Sequence, residues 1–402
     1  MLDLTKAAAQ ADIVVHRLRD GRAEHQAHLE TALGLIKKSD TNLDALKQKI
    51  AASNKKTKWL VAGLIESLGT HLPTPPTPPN YTILATDGSH IDVDRHQSTR
   101  CYLINIGRVR LDYGHNAYAE LTSIPKLCAD RAEMFLSDKE GLYEVAIEGT
   151  LLGIKRAVAE LDHLAEISRE VPPERPTLAL MDGSLIMWGL ANERYQDFVS
   201  QELLDNNYLK TMDDFCRLAG RSRTTLASYI SFPRATDVVN ALRLILCPET
   251  IADCKKHCTG IQPSKRPCEP LAGVHDGDIF SCLLAEGERS AIFYNQSRIS
   301  EHYGPHRVHF FYLKLADEVA RVEIPEWIAS DPEKLGLTHA LVWDQCQRGS
   351  GYPVALAEAH EQAVVTGVDR TSFQQMLEHW LIAEHLPQVT SAKNQSKRTR
   401  WV

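Results

Sequence analysis

Apolar residues recur at spacings of three, four and seven through the start of the chain, with Val14, Leu18, Leu29, Leu33, Ile36, Leu43, Leu46 and Ile50 on the repeat. That is the period of an amphipathic helix. Residues 1–71 hold no proline and four glycines, and the polar Lys-Ser-Asp-Thr-Asn run around Ser39 is a natural break. Residues 1–72 are therefore expected to form an N-terminal helical arm of two or three helices. Such helices bury little alone and need a second copy or the main body to pack against. The pattern stops at residues 73–79, PTPPTPP, where five prolines in seven positions forbid helix continuation. An extended linker over residues 73–80 follows from that composition.

Beyond the linker the texture changes to short apolar runs. Tyr81–Thr86 (YTILAT), Cys101–Gly107 (CYLINIG), Arg108–Tyr113, Thr177–Met181 (TLALM) and Leu226–Phe232 read as strands. His306–Ile324 reads as a hairpin turning about Ala316-Asp317, while residues 138–170 and the stretch from Pro353 onward, broken at Gly367, read as helix. Strands interleaved with helices predict an α/β fold. The main body is assigned to residues 81–390 and a basic tail to 391–402.

Composition narrows the class. The 402 residues are 43% hydrophobic and 24% charged, with 45 Lys+Arg against 52 Asp+Glu for a net charge of −7. This is a globular balance that excludes a uniformly basic nucleic-acid coat but not a local basic groove. Nine scattered cysteines fit a reduced, cytoplasmic protein better than a disulfide framework. No run approaches the length of a membrane span, so no membrane association is expected.

Candidate chemistry sits at two places where a short apolar strand ends in Asp-Gly-Ser, at Asp87 and at Asp182. One Asp-Gly is an ordinary turn; two in the same context are harder to assign to turns alone, because strand ends are where α/β folds place function. Paired strand-end aspartates suit a hard divalent cation, which usually recruits a third carboxylate. The helix before Thr177 offers Glu144, Glu148, Glu160, Asp162 and Glu166. From Thr177 to Asp182 a strand climbs roughly 17 Å. Ten residues back from Glu170, an antiparallel helix climbs roughly 15 Å and arrives at Glu160. Glu148 overshoots by a further 15 Å or so. Glu160 is the preferred helix ligand and Glu148 the alternative.

Several blocks together resemble the NurA nuclease family, whose core is RNase H-like: ATDGSHIDVDRH followed by YLINIG, LALMDGSLIMW, YISFPRATDVVNALR, GERSAIF through HRVHFFYL, VARVEIPEW, and GYPVALAEAHEQAVV. They run in family order over about residues 81–370, leaving the helical arm outside. The resemblance implies a mixed sheet flanked by helices. It also implies a Mn²⁺- or Mg²⁺-dependent DNA nuclease that holds two ions and processes DNA ends with a HerA-type hexameric ATPase, as a homodimer. The activity would be a 5′–3′ exonuclease, a single-strand endonuclease or both. Carried onto this sequence, the strand-end aspartates fall on Asp87 and Asp182, the helix glutamate on Glu160, and the closing Tyr-Pro and Ala-His on Tyr352 and His360. The sequence departs at Gly277, where similar sequences carry a basic residue. Tyr352 and His360 are eight residues apart, about 80° around a helix, so both can face one cleft. His360 suits metal ligation or proton transfer, and Tyr352 a hydrogen bond to phosphate.

Three weaker signals remain. Cys247, Cys254, Cys258 and Cys268 with His257 form a dense patch, but only Cys254/Cys258 has knuckle spacing, so ordinary thiols are expected before zinc. Lys393, Lys397, Arg398 and Arg400 with Trp401 in the tail, and Arg217, Arg221 and Arg223, offer basic contacts for DNA or plain solvated surface. No phosphate-binding Gly-x₄-Gly-Lys-Ser/Thr loop occurs, so ATP hydrolysis falls to a partner. The competing reading is a non-catalytic adaptor that docks a ring ATPase or a DNA end.

Overall fold

Thr82 through Thr86 lie in parallel register with Thr177 through Met181, and Thr177 through Asp182 with Thr224 through Tyr229. These pairings fix the centre of a mixed sheet in the computed structural model, which describes residues 3–39, 42–92, 101–191 and 195–385. Its strands are β1 (Tyr81–Asp92), β2 (Tyr102–Tyr113), β3 (Tyr118–Cys128), β4 (Thr177–Asp182) and β5 (Thr224–Ile230). The spatial order is β3-β2-β1-β4-β5, with β1, β2 and β3 an antiparallel meander and β4 and β5 parallel to β1. This is the expected RNase H-like mixed sheet. Helix α1 (Thr150–Ser168) and helix α2 (Val354–Ala363) both pack against β1 and β2. Thr86 donates its hydroxyl to the Glu160 carbonyl on α1, whereas Ser89, three residues on, donates to the Ala363 carbonyl on α2. Side chains alternate faces along a strand, so the two helices cover opposite faces of the sheet.

The helix expected over residues 138–170 is shorter. Phe135–Ser137 pairs with Glu144–Ala146 as a hairpin, and α1 begins only at Thr150. Gly141 and Gly149 adopt φ of +68° and +54°, conformations that L side chains avoid and that end regular structure. Asp138 also accepts hydrogen bonds from the Leu142 and Tyr143 amides across the turn. Glu148 therefore lies ahead of the helix and is exposed. Gly367 opens the helix Gly367–Ala383, which Thr366 and Asp369 cap reciprocally.

The chain divides into two compact units, each drawing on separated stretches of sequence. The mixed sheet belongs to residues 75–229, 302–306 and 323–402; the other unit comprises residues 1–74, 230–301 and 307–322. In that second unit the helices Leu4–Ser39 and Leu43–Ser53 pack on the helix Asp237–Leu246. Leu29, Ala32, Ile36, Leu46 and Ile50 share a core with Val238, Leu242, Phe280, Phe293 and Tyr312. The proline-rich residues 73–78 carry no regular structure. Among the described residues, no helix is long and apolar enough to cross a membrane.

Candidate metal centre and active site

Asp87 and Asp182 follow the paired positions Thr86 and Met181 on adjacent parallel strands, so their carboxylates emerge side by side on the same face. Asp182 ends β4 as expected, but Asp87 lies inside β1, which pairs with β2 through Gly88 and Ser89 as far as Asp92 and does not turn at its Asp-Gly-Ser. Both line a cleft of about 390 Å³ together with Tyr352, Leu356, Glu358, His360 and Glu361. The His360 Nδ1 stands 2.8 Å from Asp87 Oδ2, and the Tyr352 hydroxyl donates to Asp182 Oδ1 at 3.2 Å. Asp87 also accepts from the Gly88 amide at 2.8 Å.

Local sequence explains how these groups are held. A Cβ on Gly107 would stand 2.2 Å from the Ala359 carbonyl oxygen, so glycine is what lets α2 lie directly on β2 and bring His360 to Asp87. The Asn105 amide donates to the Ala363 and Gln362 carbonyls and ties down the end of α2. Gly183, at φ +81°, turns the chain away immediately after Asp182, and its amide bonds the Tyr229 carbonyl. The Tyr352 ring sits edge-on to Tyr229, 5.5 Å between centroids. The two Asp-Gly-Ser serines do different work. Ser89 secures α2, whereas Ser184 donates to the buried Glu323 carboxylate, which also accepts from the Leu185 amide.

Glu160 approaches from the other face. It is buried on α1, with Arg156 Nε 3.1 Å from its Oε1, yet that oxygen has no hydrogen-bond partner. The contact lacks hydrogen-bond alignment, so the pair is held by charge alone. Burial pushes the Glu160 carboxyl up to about 8; Arg156 opposes the shift and the charges of Asp87 and Asp182 add to it. Asp182 is raised too, by burial, against the lowering effect of its Tyr352 bond and with Asp87 raising it further. A Cβ on Gly88 would stand 2.5 Å from Glu160 Oε1. Glycine at that position opens the strand so that Glu160 can reach toward the aspartates.

All five residues expected from sequence thus belong to one locality: Asp87, Asp182, Tyr352 and His360 on the cleft, Glu160 behind Gly88. Their donors do not draw into a three-atom cluster within 4.8 Å; among the described residues the group that does is Glu24, His28 and Glu269, in the other unit. Three carboxylates and an imidazole, one carboxylate oxygen of them buried and unpartnered, nevertheless form a donor set that fits a hard divalent cation. Sequence reading missed the working position of Arg156, whose signal was its placement four residues before Glu160, and the cleft-lining Glu358 and Glu361. Arg217 pairs with Asp214 and Arg223 with Glu333. The tail residues Lys393, Lys397, Arg398, Arg400 and Trp401 lie outside the described residues.

Comparison with known proteins bears on what this cleft belongs to. The NurA domain family model matches residues 81–365, more than two-thirds of the chain. The chain belongs to the NurA family. A solved structure, the NurA nuclease from Sulfolobus solfataricus, is similar over 87% of this chain and 95% of that one, with 12% sequence identity and a TM-score of 0.45. No curated protein sequence matches. Every residue of the cleft lies within the matched span.

Proposed function

We propose that the protein is a divalent-metal-dependent DNA nuclease whose active site is the Asp87–Asp182 cleft. The observation that carries this reading is the juxtaposition of the Asp87 and Asp182 carboxylates with His360 and Tyr352, backed by the buried Glu160 carboxylate, one oxygen of which lacks a hydrogen-bond partner. Membership of the NurA family supports a nuclease role. Asp87, Asp182, Glu160 and His360 would hold two Mn²⁺ or Mg²⁺ ions. When bound, such ions neutralise phosphoryl charge and lower the pKa of a water nucleophile. The protein's own groups do the rest. Tyr352 orients Asp182 through its hydroxyl and is placed to meet a phosphate oxygen. His360, hydrogen-bonded to Asp87, is placed to ligate or to pass a proton at the cleft mouth. Arg156 holds Glu160 by charge and supplies a cation beside Gly88.

The finer reading follows the family resemblance: processing of DNA ends as a 5′–3′ exonuclease or single-strand endonuclease, as a homodimer working with a HerA-type ATPase. The deciding experiment is Mn²⁺-dependent cleavage of labelled single-stranded and duplex DNA. Wild-type protein is expected to cleave, and Asp87→Asn and Asp182→Asn to bind DNA without cleaving it. A wild-type protein that binds a ring ATPase but never cleaves would instead favour the adaptor reading.

A further inference from the structure

β1 runs past its parallel neighbour. Its pairing with β4 stops at Thr86 and Met181, yet it stays paired with β2 as far as Asp92 and Tyr102. Successive strand residues turn their backbone N–H and C=O to opposite sides. The Thr82 amide bonds the Pro176 carbonyl, just before β4, so Gly88, His90 and Asp92 present their backbone groups to that same side. Among the described residues no strand pairs with them there. This unpaired edge begins at the cleft, because the Gly88 amide donates to Asp87 Oδ1. The His90 amide follows about 7 Å along, close to one nucleotide step of an extended single strand.

Two arginines reach this edge from opposite faces of the sheet. From α1, Arg156 lies against Gly88, where a Cβ would stand 2.8 Å from its Cγ and 3.1 Å from its Cδ. The Arg156 side chain is 34% exposed and among the described residues makes no hydrogen bond, only its charge contact with Glu160. From the other face, the helix Gly367–Ala383 packs Phe373 with Ile91 and Cys101 and brings the Arg370 guanidinium to the His90 carbonyl at 3.0 Å. Arg370 is exposed, and that bond uses one of its five N–H groups. On the α1 side of the edge, Arg156 Nε, Glu160 Oε1 and His90 Nδ1 are all buried without a hydrogen-bond partner; His90 shares that face with Gly88 by strand alternation. Outward strand amides flanked by two guanidinium forks are the donor set that a phosphate takes up. Glu160 balances part of the charge, and the exposed Asp92 marks the far end.

We propose that the β1 edge from Gly88 to His90, with Arg156 and Arg370, is a phosphate-binding ledge that holds the DNA backbone one phosphate away from the phosphate cut at Asp87 and Asp182. For its substrate this rests on the nuclease reading. Phosphate contacts fix the register of a strand without reading its sequence, so the ledge sets where along the strand the cut falls.

The test measures binding of a fluorescein-labelled single-stranded oligonucleotide to the full chain across a salt series with divalent metal chelated, and cleavage of the same oligonucleotide with Mn²⁺. Arg370→Gln is expected to lower the slope of log affinity against log salt by about 0.7, the share of one single-strand phosphate contact, and to raise KM about tenfold with a smaller effect on kcat. Arg131→Gln removes an equal charge from a surface pair with Glu144 and is expected to change neither slope nor KM. A methylphosphonate beside the scissile phosphate, neutral at that one position, should raise KM for wild type by as much as Arg370→Gln does, and raise it no further in Arg370→Gln. An unchanged slope for Arg370→Gln overturns the proposal. So does an equal loss of slope in Arg131→Gln, or methylphosphonate and Arg370→Gln effects that multiply. The slope comparison needs no cleavage: a wild type that binds but never cleaves defeats the nuclease reading, while the slopes still decide the ledge. A wild type that cleaves, with an Arg370→Gln protein that binds and cleaves identically, defeats the ledge alone.

Discussion

Glu160 carries the sharpest residue-scale consequence. Its carboxyl is pushed up to about 8, chiefly by burial, so the metal-free protein holds a proton there at neutral pH. A folded pKa raised above the unfolded value favours the fold below the unfolded pKa, and that advantage is lost as pH rises through the folded one. The metal-free protein should therefore lose stability as pH rises from about 4.5 to about 8. Glu160→Gln should flatten that dependence in thermal melts in the presence of chelator, while abolishing cleavage. A cation held by Glu160, as proposed, would have to displace the same proton. Titration calorimetry of Mn²⁺ in buffers of different ionisation enthalpy should register proton release at pH 7, reduced in Glu160→Gln; identical proton release in both proteins would place the ion elsewhere. Gly88 belongs to this scale too. Gly88→Ala places a methyl against Glu160 Oε1, an overpacking expected to cost about 1–3 kcal/mol in urea denaturation and most of the cleavage rate.

At the scale of elements, the strands were legible because β4, β5 and the first half of β1 are short apolar runs, and such runs signal buried strands; that β1 continues through Asp87-Gly88-Ser89 to Asp92 was not legible, because Asp-Gly reads locally as a turn. Glu160 was reachable from rise per residue alone, since strand and helix rises are fixed by backbone geometry. The start of α1 was not. Its hairpin, Phe135–Ser137 with Glu144–Ala146, is too short to show period, and the helix boundary depends on the positive φ of Gly149, which the letter G does not announce. The support for Asp182 was hidden for another reason. Glu323 lies 141 residues from Asp182, and nothing local marks it as the acceptor for Ser184 and the Leu185 amide. Glu323→Ala leaves that amide and hydroxyl unpaired, a loss of about 1–3 kcal/mol in denaturant unfolding. The loop after Asp182 should then loosen, with kcat falling more than DNA affinity. An unchanged kcat would show that this loop does not position the aspartate.

Over the whole molecule, pattern and resemblance conveyed the fold class and named residues that the structure brings to one locality, but not how the chain is partitioned. The second unit is assembled from residues 1–74, 230–301 and 307–322, a grouping made by contacts between distant stretches that no local pattern encodes. Ile36, 1% exposed in that core, makes the contribution of the N-terminal helices measurable: Ile36→Ala should cost about 2–5 kcal/mol in denaturant unfolding. The arrangement of the cleft is the opposite case, since Asp87, marked by its Asp-Gly-Ser motif, and His360, marked by the family resemblance, are separated by 273 positions and meet at 2.8 Å. The account rests on that meeting being catalytic. Its most direct test compares wild type and Asp87→Asn on end-labelled DNA with Mn²⁺, measuring binding and cleavage on the same samples. Cleavage lost by at least a thousandfold with binding intact is the predicted result, and undiminished cleavage by Asp87→Asn would contradict it.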